Sequence, residues 1–107
     1  MSKTKVSKKQ LKLIAEDLAQ IYKDGIPINE GIQLISETIN HKEYKKSLEK
    51  VSMYMKDGLS LSEGFEIFDY LYPPFFTGLI SIGENTGKLY EVLCGISVFF
   101  IKYTDST

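Results

Sequence analysis

The sequence predicts an all-α domain, a compact antiparallel six-helix bundle built of helical hairpins. Apolar residues recur at every third or fourth position through almost the whole chain, the spacing of one helix face. No stretch alternates apolar with polar long enough to make a strand. A corner, Asp24-Gly25-Ile26-Pro27-Ile28-Asn29-Glu30-Gly31-Ile32, returns as Asp57-Gly58-Leu59-Ser60-Leu61-Ser62-Glu63-Gly64-Phe65, thirty-three residues later.

In chain order, Leu11, Ile14, Leu18, Ile21 and Tyr22 mark one face of a first helix, from about Ser7 to Lys23. Ile28, Ile32, Ile35 and Ile39 mark a second, and Tyr44, Leu48, Val51 and Met55 a third. Leu61, Phe65 and Phe68 give a short fourth helix. Pro73-Pro74 then interrupts, because proline lacks the amide donor and clashes with the preceding turn. Pro74 opens a fifth helix carrying Phe75, Leu79 and Ile82. The sixth carries Leu89, Val92, Leu93, Ile96, Phe99, Phe100 and Tyr103.

Each copy of the corner has the chemistry of a tight reversal. Gly25 and Gly58 supply the left-handed residue that ends a helix, and Ile26 or Leu59 closes the apolar contact of that cap. Ser60 with Glu63 makes a capping box for the next helix, whereas Pro27 pre-sets the first turn in the other copy. A degenerate third copy, Gly87 to Leu93, joins helices five and six. Tetratricopeptide and ankyrin arrays have a similar period, but their consensus residues are missing and there are only two clear copies. The hairpins close into one bundle.

Composition removes several function classes. A chain of 107 residues makes about one domain, and 43 % hydrophobic with 25 % charged residues is globular rather than disordered. Net charge is −1, and all thirteen basic residues are lysine, which counts against bidentate recognition of phosphate or guanine. Cys94 stands alone, so no intrachain disulfide forms, and one Cys with one His cannot build a zinc site. His41, in Asn40-His41-Lys42-Glu43, reads as a solvated loop histidine and Cys94 as a packed thiol. No catalytic group, cofactor or resident metal is expected.

The longest uncharged run, Tyr70 to Gly83, is too short to span a bilayer and is broken by Pro73-Pro74 and Gly78, so the chain reads as soluble. Five lysines fall in the first twelve residues. Residues 1–9 are therefore expected as a flexible basic arm, 10–103 as the domain and 104–107 as a tail. A solvated end is the simpler account of the arm; contact with anionic lipid headgroups is the alternative.

The segment Gly78 to Leu89 superficially suggests a phosphate loop. Glu84 stands where the lysine belongs, Leu89 replaces the magnesium-binding hydroxyl, and no strand precedes it. What Gly83-Glu84-Asn85-Thr86-Gly87 specifies is a corner, with Asn85 and Thr86 bonding locally and Gly87 reversing the chain. Glu84 late in a helix opposes the dipole, so it needs a partner: the next helix's amino end, a lysine, a bound cation or another protein. Glu66, Asp69 and Glu84 could together offer oxygens to a hard cation. Phe65, Phe68, Tyr70, Tyr72, Phe75 and Phe76 straddle the prolines as core, with a few left over for an exposed self-association patch.

These corners in this order, with Tyr72-Pro73-Pro74-Phe75-Phe76 and Ile82-Gly83-Glu84-Asn85-Thr86-Gly87-Lys88-Leu89-Tyr90-Glu91-Val92-Leu93, resemble the type II secretion system F domain over about residues 10–103. The resemblance implies one of two homologous cytoplasmic domains of a polytopic inner-membrane platform protein, serving type II secretion, type IV pilus or competence machines. It implies a hexameric assembly ATPase, pilin or pseudopilin machinery and further copies of the protein as partners. It places the domain on the cytoplasmic face of the bacterial cell membrane and brings no catalytic residues. Gly25, Gly58, Pro74, Gly83, Glu84, Thr86 and Gly87 match signature positions, with Glu84 the interaction residue among architectural ones. Gly31 and Gly64 stand where alanine is commoner, which should loosen those helices by about 1 kcal/mol each.

Two other functions compete. A small helical nucleic-acid-binding domain would suit the lysine-rich amino end, but Glu16, Asp17, Glu37, Glu43, Glu49 and Glu63 interleave acids among the lysines. An enzyme would have to use Cys94 and His41, which lie on different elements with no third group to support them.

Overall fold

The computed structural model describes residues 6–104, with the side chains of residues 6–102. Six helices follow in order: α1 (Lys8–Lys23), α2 (Ile28–Thr38), α3 (Lys42–Lys56), α4 (Leu61–Glu66), α5 (Pro74–Thr86) and α6 (Leu89–Thr104). There is no strand among the described residues. Each helix packs on its chain neighbour, and α6 returns to lie along α1, so the hairpins close into a ring. A radius of gyration of 12.8 Å is that of one folded domain of this length, not of an open array.

The reversals form as the sequence requires. At the end of α1 the Ile26 amide donates to Ile21 O at 3.1 Å and the Gly25 amide to Tyr22 O at 3.1 Å, with Gly25 at φ +78°. At the end of α3 the same pair recurs, Leu59 to Tyr54 O at 3.0 Å and Gly58 to Met55 O at 3.1 Å. Both are the double bond of a glycine-terminated helix. Lys88 donates to Gly83 O at 2.9 Å and closes α5 in the same way. Residues 8 and 9, expected in the basic arm, form the first turn of α1, because Ser7 Oγ accepts the Gln10 amide. Residues 1–5 and 105–107, the rest of the expected arm and most of the tail, lie outside the described residues.

Three local expectations change. The fifth helix does not turn Phe75 and Ile82 inward: Phe76, Thr77, Ile80 and Gly83 are buried, Leu79 is half-buried against the core, and Phe75 and Ile82 are exposed. Both stripes are apolar, and packing selects the one containing Gly83. A Cβ there would stand 3.0 Å from Leu89 Cα and 3.1 Å from Val92 Cγ2, so this face alone lets α6 approach. The fourth helix stops at Glu66, and Phe68 instead heads a turn whose carbonyl accepts the amides of Leu71 and Tyr72. That turn delivers both residues to the core. Tyr22 and Phe99, read as face residues, are largely exposed.

Gly31 and Gly64 are also not the loosening residues their helix propensity suggests. A Cβ at Gly31 would meet Ile21 Cγ2 at 2.4 Å, and one at Gly64 would meet Val51 Cγ1 at 3.0 Å. Both are buried, and both let the helix after a corner press against the helix before it.

Candidate functional site

The clearest polar constellation joins the second and third corners. Glu84 Oε2 accepts the Leu61 amide at 2.8 Å, and Oε1 accepts the Ser62 hydroxyl at 2.7 Å and the Ser62 amide at 3.4 Å. These amides belong to the first turn of α4, whose free donors and positive dipole end favour a carboxylate. Ser60 and Glu63 complete the reciprocal capping box, at 3.1 and 2.9 Å. The partner Glu84 needs is therefore a helix amino end, that of α4 rather than of the helix that follows it. Each of its oxygens is engaged within the fold.

Around this carboxylate, Thr86 Oγ1 donates to Ile82 O at 2.8 Å, and Gly87 takes φ +74°. The segment that resembled a phosphate loop is helical through Thr86. Pro74 stands at the first position of α5, where its missing amide costs nothing. Among the described residues no group of three or more His, Cys, Asp or Glu side chains is placed to hold a metal, so Glu66, Asp69 and Glu84 do not converge.

His41 lies in the connection before α3, as expected, but it is half-buried rather than simply solvated. It caps the amino end of α3, its Nδ1 accepting the Tyr44 amide at 3.5 Å and its ring meeting Tyr44 edge-on at 5.0 Å. Cys94 lies half-buried on α6 in a groove with Tyr90, Ser97 and Glu16. A hydrogen bond with Cys94 and electrostatic repulsion between the two groups, followed by desolvation and Glu91, push the Tyr90 phenol above its ordinary value. Ser97 Oγ donates to Glu16 Oε2 at 3.2 Å, fastening α6 to α1. Asp17 is held above the usual carboxylate value by desolvation and then by Glu16 beside it.

Of the aromatic cluster, Phe65, Tyr72 and Phe76 are fully buried and pack on one another, Phe68 is half-buried, and Tyr70 and Phe75 are exposed. The polar centre of this core escaped the sequence reading. Tyr44 OH donates to Leu71 O at 2.6 Å and accepts the Ser7 amide at 3.0 Å, while Ser47 Oγ and Tyr72 OH share a bond of 2.7 Å. Burial pushes both phenols up. The only available signal was a tyrosine at a core position of α3, which by itself reads as a hydrophobe.

A groove beside α3 is lined by Lys42, Lys46 and Lys50, one turn apart, with Phe68, Tyr70 and Glu43. Cations and rings face the same groove there.

The constellation spends its charge on fastening corners, and its buried polar atoms bond to one another. These contacts hold the shape of the bundle. The family model of the type II secretion system (T2SS), protein F, matches residues 14–102, and the chain belongs to that family. The family is one of structural platform domains, and its members are inner-membrane platform components of the secretion and pilus type. Among the described residues no helix is long and apolar enough to cross a membrane. A comparison with curated proteins finds no match.

Proposed function

We propose that this chain is a cytoplasmic scaffold domain of a membrane-embedded platform protein. It docks a hexameric assembly ATPase, associates with further copies of itself, and couples the motor to pilin or pseudopilin assembly. The observation that carries this reading is family membership over residues 14–102, together with a signature corner whose carboxylate holds helices in register. A transmission part must move as one body. Capped corners, a satisfied polar core and close glycine contacts supply that rigidity.

We assign the α3 groove to the motor. Lys42, Lys46 and Lys50 offer charge to an acidic surface, and Phe68 and Tyr70 offer rings to anchor it. The test is co-purification of the full-length platform protein with its ATPase. Lys46→Glu/Lys50→Glu should abolish capture while leaving the circular dichroism of the domain unchanged. Normal pilus or pseudopilus assembly after deletion of the domain would defeat the reading.

The same lysines are what favours a nucleic-acid-binding alternative, although Glu43 shares their groove and the net charge is −1. A salt titration with duplex DNA separates the two. Phosphate contact predicts binding that collapses as salt rises, and the scaffold reading predicts none at low salt.

A further inference from the structure

The start of α1, the start of α5 and the end of α6 meet at one pole of the bundle, around a groove lined by Val6, Lys8, Leu11, Pro73, Phe75 and Phe99. The rings of Phe75 and Phe99 lie 5.0 Å apart, yet 41 % and 40 % of their surfaces remain exposed. Along the helix stretches that frame them, the charge has one sign. Residues 8–15 of α1, 74–83 of α5 and 92–104 of α6 contain no Asp or Glu, but they contain Lys8, Lys9, Lys12 and Lys102. Of these, Lys12 is paired with Glu16 on α1. In the sequence the nearest acids beyond these stretches are Glu16, Asp69, Glu84, Glu91 and Asp105.

The placement of Lys8 and Lys9 makes the pattern informative. They occupy the first turn of α1, where the aligned peptide dipoles disfavour a cation and where α1 has no acid to offset them. Among the described residues neither lysine forms an ion pair, so both charges are available to a partner outside the fold. We propose that this pole rests on an anionic lipid surface, with Phe75 and Phe99 entering the headgroup region and Lys8, Lys9 and Lys102 meeting lipid phosphates. The arrangement is that of an interfacial contact: rings at the boundary, lysine stems along them, ammonium groups in the charged layer. It concerns the surface of this domain itself. It does not depend on motor docking, since the α3 groove uses other residues.

The full chain contains no tryptophan, so Phe99→Trp reports on this pole alone. With vesicles of equal parts phosphatidylcholine and phosphatidylglycerol, its emission should shift to the blue and the protein should sediment with the lipid. With phosphatidylcholine alone it should do neither. Binding should weaken as salt is added. Lys8→Ser/Lys9→Ser should weaken it by about 25-fold, roughly fivefold for each lysine. Phe75→Ser should also weaken it, and the lysine pair keeps the test intact if that variant fails to fold. No shift with anionic vesicles at low salt would overturn the proposal, as would equal binding by the lysine variant. So would light scattering that shows a lipid-free dimer which Phe75→Ser returns to monomer, because a second copy would then cover the face.

Discussion

The Glu84 carboxylate, late in α5, receives the Ser62 hydroxyl at 2.7 Å across 22 residues of chain. With the Leu61 amide at 2.8 Å, this bond makes the third corner the cap of the second. A helix of six residues has little stability of its own. Here α4 is held at its amino end from two directions, by its own capping box and by a neighbouring helix.

Removing that carboxylate should therefore cost more than a surface glutamate does. Glu84→Ala leaves the Leu61 and Ser62 amides without an acceptor and should destabilise the domain by about 1–2 kcal/mol. That loss corresponds to a fall in melting temperature of roughly 4 °C or more. Glu84→Gln keeps an acceptor oxygen and should lose less. Urea unfolding of the two variants decides this, and an unchanged midpoint for Glu84→Ala would show that the cap contributes nothing.

Glycine-to-alanine changes should have opposite signs at different helical sites. At Gly95 nothing lies within 4 Å of an added Cβ, so alanine should stabilise by up to about 1 kcal/mol through helix propensity. At Gly31 the new methyl would collide with Ile21 Cγ2, a branch fixed to its own Cβ, and should cost about 1–3 kcal/mol despite the same propensity gain. Ile21→Leu, which moves that branch outward along the side chain, should recover part of the loss. Thermal melts of Gly95→Ala, Gly31→Ala and Ile21→Leu/Gly31→Ala check all three.

The buried phenols predict alkaline sensitivity. Desolvation raises Tyr72 well above the ordinary phenol value of 10.0, and the hydrogen bond shared with Ser47 only partly opposes it. The stability carried by the neutral phenol is complete below pH 10 and is lost as pH rises above it, because the unfolded chain ionises first. The decline should approach about 1.4 kcal/mol per pH unit for Tyr72. Tyr44, raised in the same direction, adds to it. Urea midpoints measured across that range should fall for the parent and flatten for Tyr72→Phe.

His41 should matter for stability and not for chemistry. His41→Ala removes the α3 cap and the edge contact with Tyr44, costing about 0.5–1.5 kcal/mol. His41→Asn, which puts a capping oxygen in place of the ring nitrogen, should restore most of it, and platform assembly should survive both. Loss of assembly by a folded His41→Asn protein would point to a role beyond the cap.

Local chemistry was legible wherever it is complete within a few residues. The endings at Gly25, Gly58 and Gly87 and the Ser60–Glu63 box each close within one turn, so their residue types announce them. The face of α5 was not legible, because two adjacent stripes are apolar and only the approach of Leu89 and Val92 to Gly83 chooses between them. Glu84 announced that it wanted a partner, but the amides of Leu61 and Ser62 lie too far along the chain to be picked out. Gly31 read as a weakness, because propensity is a property of one helix and steric room is a property of two.

The sequence by itself determined six helical segments, their breaks and their reversals, since periodicity, proline and glycine act over distances of a few residues. Tertiary structure alone decided which stripe of α5 turned inward, which polar groups met, and that α6 would close the ring on α1. Those choices depend on volumes and donors brought together from distant parts of the chain, and no local pattern encodes them.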